Sequence, residues 1–111
     1  MTNRFFSRVA ILFFLLSACN SGENKNQRAP KSHIVEIAQM KFNPAELTVQ
    51  KGDTIVFVNH DIVPHDITEE PGKTWSSSLL PANQSWSIVA DSTVNYFCSI
   101  HVVMKGKIIV Q

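Results

Sequence analysis

Beyond residue 32, apolar and polar positions alternate with the two-residue period of a half-buried β-strand. His33 to Met40 sets Ile34, Glu36, Ala38 and Met40 on one side and Val35 and Ile37 on the other. Pro44 interrupts the chain and Leu47-Thr48-Val49 resumes it. Lys51-Gly52-Asp53 reads as a turn, and Thr54 to Asn59 as the clearest strand, rich in β-branched and aromatic residues. Pro64 to Thr68 is a short extended piece, followed by the polar loop Glu69-Glu70-Pro71-Gly72-Lys73. Ser85 to Val89 and Thr93 to Cys98 alternate cleanly, and Gly106 to Val110 closes the chain. No window carries a helical stripe, although Trp75 to Leu80 has room for one turn. Seven short strands at this spacing predict an all-β antiparallel sandwich. Strand parity puts Trp86 and Ile88 on one face, and Val94, Tyr96 and Cys98 together, with Asn95 and Phe97 opposite. Phe42 and Tyr96 belong to the core, and Phe97 is expected to be partly exposed. Cys98 ends its strand on the apolar side, which places its sulfur at the end of the core and shields it from water.

The first residues follow another pattern. Arg4 and Arg8 precede the unbroken apolar run Val9 to Leu16, and a polar tract follows. A permanent membrane span needs about 20 apolar residues, so this run has the layout of a secretory signal; a buried helix would lack the charged start. Leu16-Ser17-Ala18-Cys19 resembles the bacterial lipobox. The resemblance implies that Cys19 receives a diacylglyceryl thioether and becomes the new N-terminus. It also implies more than one acyl chain, which stable anchoring requires. Asn20 to Ser32 is almost free of apolar side chains and cannot offset its own ordering entropy, so it reads as a flexible tether. The expected organisation is a signal peptide over 1–18, a lipidated tether over 19–32 and one folded domain over 33–111. The protein would be exported and lipid-anchored to a bacterial membrane, facing the periplasm or the outer cell surface.

A chain of 111 residues leaves room for one modest core. Its ten basic and nine acidic residues give a formal charge of +1, and losing Arg4 and Arg8 with the signal lowers it to −1. Without a clustered basic surface, nucleic-acid binding is not expected. Cysteine usage sharpens the picture. With Cys19 lipidated, Cys98 is the one thiol left in an oxidising compartment. Such a thiol is either buried and inert or held by something.

Cys98-Ser99-Ile100-His101-Val102-Val103-Met104 offers a thiolate, an imidazole and a thioether at intervals of three residues. Thiolate and thioether favour Cu(I), and imidazole serves both oxidation states. Two His, one Cys and a weak axial Met form the ligand set of electron-transfer copper, so a second His must come from elsewhere. His33 sits at the tether boundary, and His60 reads as an ordinary turn residue. His65 is favoured, because it begins an extended piece able to lie beside the Cys98 loop, and Pro64 fixes the backbone before it.

Four stretches together resemble the cupredoxin (blue copper) family, in particular its amicyanin- and plastocyanin-like members. They are Phe42 to Thr54, Val58 to His65, Trp75 to Leu80, and Tyr96-x-Cys98-x-x-His101-x-x-Met104-x-Gly106. The spacing between His101 and Met104 is similar to that of amicyanins. The resemblance spans about Met40 to Val110 and implies a cupredoxin-like Greek-key sandwich of seven or eight strands. It also implies a single type I copper held by His65, Cys98, His101 and Met104. Ile100 and Val102 stand where the family often has Pro, which leaves the loop less restricted. Asp66 stands where the family often has Asn, and it is expected to bond Ser99 or a nearby N–H and brace the two ligand segments.

The implied function is one-electron transfer between redox proteins rather than catalysis, since four protein ligands leave no position for a substrate. Ile62, Val63, Pro64, Val102 and Val103 would form an apolar patch around His101 on which a donor or acceptor docks transiently. The domain is expected to be monomeric. Two other functions fit the same chain: a periplasmic copper carrier with the same ligands, and a metal-free interaction sandwich tethered by its lipid.

Overall fold

The computed structural model describes residues 28–111. The signal segment, Cys19 and the first part of the tether lie outside the described residues. Eight strands follow in order: β1 (Ser32–Ala38), β2 (Lys41–Asn43), β3 (Glu46–Val49), β4 (Thr54–Asn59), β5 (Thr68–Glu70), β6 (Ser85–Val89), β7 (Val94–Phe97) and β8 (Lys105–Val110). They form two four-stranded sheets, with strand orders β2-β1-β4-β6 and β3-β8-β7-β5. There is no helix among the described residues, and Trp75 to Leu80 is not a helical turn. That segment is instead pinned by the isolated bridges Thr68↔Ser76 and His65↔Leu80.

The sheets are mixed rather than purely antiparallel. β1 pairs with β4, and β3 with β8, in parallel. Alternation has the same period in both arrangements, so parity reports which face is buried but not strand direction. The faces follow parity closely. In β4, Ile55, Phe57 and Asn59 point inward and are buried, while Thr54, Val56 and Val58 are not. In β1, Val35 and Ile37 are buried and Ile34 and Glu36 are exposed.

Aromatic rings fill the space between the sheets. Tyr96 meets Phe42 edge-on at 4.8 Å and Phe57 at 5.3 Å between centroids, an arrangement favoured by the ring quadrupoles. Tyr96 lies opposite Gly106 across the β7–β8 pair. A Cβ at position 106 would collide with the Tyr96 ring, so only glycine leaves space for it. The Tyr96 hydroxyl is buried without a hydrogen-bond partner among the described residues. Burial pushes its ionisation up, and it stays a neutral phenol. Phe97 is buried, 8% exposed, rather than partly exposed as its parity predicts. Its opposite parity does aim it outward, but the ammonium groups of Lys73 and Lys105 cover the ring at 5.9 and 6.0 Å.

The parallel pairing gives the molecule two distinct ends. β1 and β4 run side by side from Ser32↔Thr54 to Ile37↔Asn59. β4, β7 and the start of β8 meet at the second end, where the loops of residues 60–67 and 98–104 lie. The N-terminal arm enters at the first end. There the carboxylate of Asp53, 1% exposed, accepts from Arg28 at 2.7 and 3.0 Å and from the N–H groups of Lys31 and Gln50 at 3.0 and 3.1 Å. His33 Nε2 lies 2.8 Å from the same group. The folded unit thus reaches back to Arg28.

The Arg28 guanidinium, aided by these N–H groups and His33, outweighs burial and holds the Asp53 carboxyl well below the usual carboxylate range. Because the folded-state pKa is depressed, the stabilisation is present above the unfolded value of about 3.9 and is lost as pH falls below it. Asp53→Asn is therefore expected to melt below the wild type at pH 7, with the gap closing as pH drops under about 4. A gap that stays constant across that range in thermal melts would contradict this role.

Candidate metal centre

The far end of the sandwich is organised by a polar residue in an apolar position. Asn59, last of the inward series of β4, is fully buried. Its side-chain amide donates to the carbonyls of Val63 and Leu80 at 2.9 and 3.0 Å, and its Oδ1 accepts from the Asp61 N–H at 2.9 Å. These bonds shape the loop that delivers His65. The backbone of His65 then exchanges two hydrogen bonds with Leu80, at 2.7 and 3.1 Å.

Cys98 follows β7 directly and is fully buried. Its loop turns back on itself through Met104 N–H to His101 O at 2.9 Å and Cys98 N–H to Met104 O at 3.1 Å. The turn brings His101 over the sulfur and returns Met104, 2% exposed, into the hydrophobic cluster beside Cys98.

Three of the four residues read as ligands converge directly. His65 Nδ1 and His101 Nδ1 are 3.2 Å apart, and Cys98 Sγ lies 3.8 Å from the first and 3.9 Å from the second. Among the described residues this is the one His/Cys/Asp/Glu group placed to hold a metal ion. A point equidistant from three atoms so arranged lies about 2.1 Å from each, close to first-row metal bonds of about 2.0–2.1 Å to imidazole and about 2.3 Å to thiolate. The donor set therefore fits a metal of that size without rearrangement. Met104 is the buried thioether on the same loop. His33 and His60 lie elsewhere, against Asp53 and near Glu36 respectively.

Asp66 joins the two ligand segments. Its carboxylate accepts from Ser99 N–H at 2.7 Å, from the Thr68 hydroxyl at 3.1 Å and from the Ser99 hydroxyl. Its own N–H donates to Cys98 Sγ at 3.4 Å, which ties the His65 segment to the sulfur. On the other side of the site, His65 Nε2 lies 2.8 Å from Asp61 Oδ2. Burial pushes the Asp61 carboxyl up, but bonds from Met40 N–H, His65 and Gln39 N–H outweigh it and leave the group below its ordinary value. Asp61 and Asn59 did not stand out in the sequence. The signals available were the spacing of four between Asp61 and His65 and the inward parity of Asn59.

The residues assigned to docking are all at the surface, and His101 is partly exposed. Ile62 is 94% exposed and Val103 85%, and Val63, Pro64 and Val102 are also exposed. Ile100, noted only as a departure from Pro, joins them.

A two-sheet sandwich that gathers a buried thiol and two imidazoles at one end defines a small mononuclear metal-binding β-protein. The chain belongs to the cupredoxin-like domain family, whose profile matches residues 8–110. It is 34% identical over 92 residues to amicyanin-alpha of Methylorubrum extorquens, covering 77% of each chain. It is 31% identical over 84 residues to amicyanin of Paracoccus denitrificans, covering 70% of this chain and 64% of that one. Plastocyanin of a Synechococcus species is 30% identical over 106 residues, covering 78% of each. Among solved structures, amicyanin from Paracoccus versutus superposes with a TM-score of 0.66 at 28% identity, over 72% of this chain and 81% of that one. A variant amicyanin in its Cu(I) form gives 0.68, again at 28% identity, over 72% and 82%.

Proposed function

We propose that this protein is a blue copper electron carrier, in which His65, Cys98 and His101 would hold one copper ion and the buried Met104 thioether would be the fourth donor. The observation that supports it is the triangle of two imidazole nitrogens and one sulfur, sized for first-row metal bonds and closed from water on the cysteine side. Thiolate and imidazole together select copper over harder ions. Similarity to amicyanins and plastocyanin points the same way.

When bound, the copper supplies a one-electron couple. The chain supplies a frame that moves little between the two oxidation states, and so keeps the cost of switching low. With four protein donors assigned, no position remains for a substrate, and the proposal is for a carrier rather than an enzyme. The partners are redox proteins that dock on the apolar surface of Ile62, Val63, Pro64, Ile100, Val102 and Val103, and the electron passes through His101 at its centre. A small patch of this kind suits brief encounters.

The proposal extends to the membrane. A lipid on Cys19 would tether the domain through an arm that enters at Asp53, the end away from the copper site.

Adding Cu(II) to the domain is expected to give one equivalent bound with intense copper–thiolate absorption in the visible, and Cys98→Ser is expected to abolish it. A colourless wild-type complex would contradict the proposal. Val103→Asp is expected to keep the spectrum and slow electron exchange with the natural partner. A variant that loses the spectrum would assign Val103 to shaping the site instead of docking.

A further inference from the structure

We infer that Asp61 is a positioning residue that locks the ring of His65 for copper and ties this ligand to the turn between β1 and β2. The inference rests on the copper reading of the site.

The two ring nitrogens of His65 face different groups. Nδ1 faces Cys98 Sγ and His101 Nδ1, while Nε2 lies 2.8 Å from Asp61 Oδ2. A carboxylate can only accept, so Nε2 carries the hydrogen and donates it, leaving the Nδ1 lone pair for the metal. His65 is fully buried and has no freedom to exchange the two nitrogens by rotation. His101 is different. Its Nε2 has no such acceptor among the described residues, and its ring is partly exposed. One imidazole is therefore clamped from behind and the other is held only from the front.

The same carboxylate has a second task. Its Oδ1 accepts from the Gln39 N–H at 2.7 Å and its Oδ2 from the Met40 N–H at 3.0 Å. Gln39 and Met40 form the two-residue turn between β1 and β2, with φ of 53° and 60°. Side chains other than glycine's are disfavoured in this left-handed region, although it suits a tight hairpin. Asp61 satisfies both N–H groups there and is itself oriented by Asn59. The turn, the carboxylate and the ligand ring are thus fastened as one unit, and the position of His65 depends on the hairpin between β1 and β2.

A negative charge behind an imidazole makes it a stronger donor, and Cu(II) gains more from this than Cu(I). Asp61 is therefore expected to hold the reduction potential down. The test is a redox titration of copper-loaded wild type and Asp61→Asn, with electron paramagnetic resonance of the oxidised forms. The variant is expected to bind Cu(II) at least tenfold more weakly relative to Cu(I), which reads as a rise of about 59 mV or more for a one-electron couple. A lower melting temperature with an unchanged potential and spectrum would overturn the inference, since a purely structural role predicts that result. Should Asp61→Asn fail to fold, nitrogen-15 NMR of the Cu(I) wild type decides the question. A slowly exchanging Nε2–H on His65 upholds the inference, and a metal-free Nδ1–H tautomer overturns it. A wild-type protein that shows no copper–thiolate spectrum at all would remove the copper reading, and this inference with it.

Discussion

Two imidazole nitrogens 3.2 Å apart, with a sulfur 3.8 and 3.9 Å from them, are an arrangement that a polypeptide must enforce. Lone pairs turned toward a common point repel one another until a cation or proton lies among them. Holding them there without collapse requires the backbone behind each donor to be fixed independently. The rest of the structure can be understood as the means of doing so. Asn59 fixes the loop before His65, Leu80 fixes the backbone of His65, and two backbone bonds close the loop from Cys98 to Met104. Asp66 then welds the two loops through Ser99. Each of these groups is polar and most are buried, so each is costly to bury unless bonded. The cost is met by partners on the opposite loop, which makes any loosening of the site unfavourable.

The sandwich beneath places these loops at one end. β4 and β7 belong to different sheets, yet both deliver their last residues to the same end. The aromatic cluster of Phe42, Phe57 and Tyr96 bridges the sheets and sets their spacing. Gly106 opposite Tyr96 is needed for that packing, and it lies two residues beyond Met104. Core packing and metal ligation are therefore continuous along β7 and β8 and cannot vary independently.

Much of this was legible in the chain. The spacing from Cys98 to Met104 displays three donors in one loop, and strand parity places Cys98 on the buried face of β7. The second imidazole, His65, could be argued from its extended surroundings. What could not be read were features made by partners distant in sequence. Parallel pairing of β1 with β4 leaves the same alternation as antiparallel pairing. Phe97 has outward parity, and only the folded chain brings Lys73 and Lys105 over it. Asp53 looks like an ordinary turn residue until Arg28, 25 positions earlier, is bonded to it. Asn59 is a polar residue in an apolar series, a pattern that signals neither error nor function until its three bonds are seen.

The protein rather than the ion sets the ligand positions. Crystal structures of the metal-free and Cu(II)-loaded forms, solved in the same crystal setting, test this most directly. The expected result is that His65 Nδ1, Cys98 Sγ and His101 Nδ1 differ in position by no more than about 0.5 Å between the two, with copper bonded to all three. Ligand loops that rearrange on loading, or copper bound without the sulfur, would contradict it.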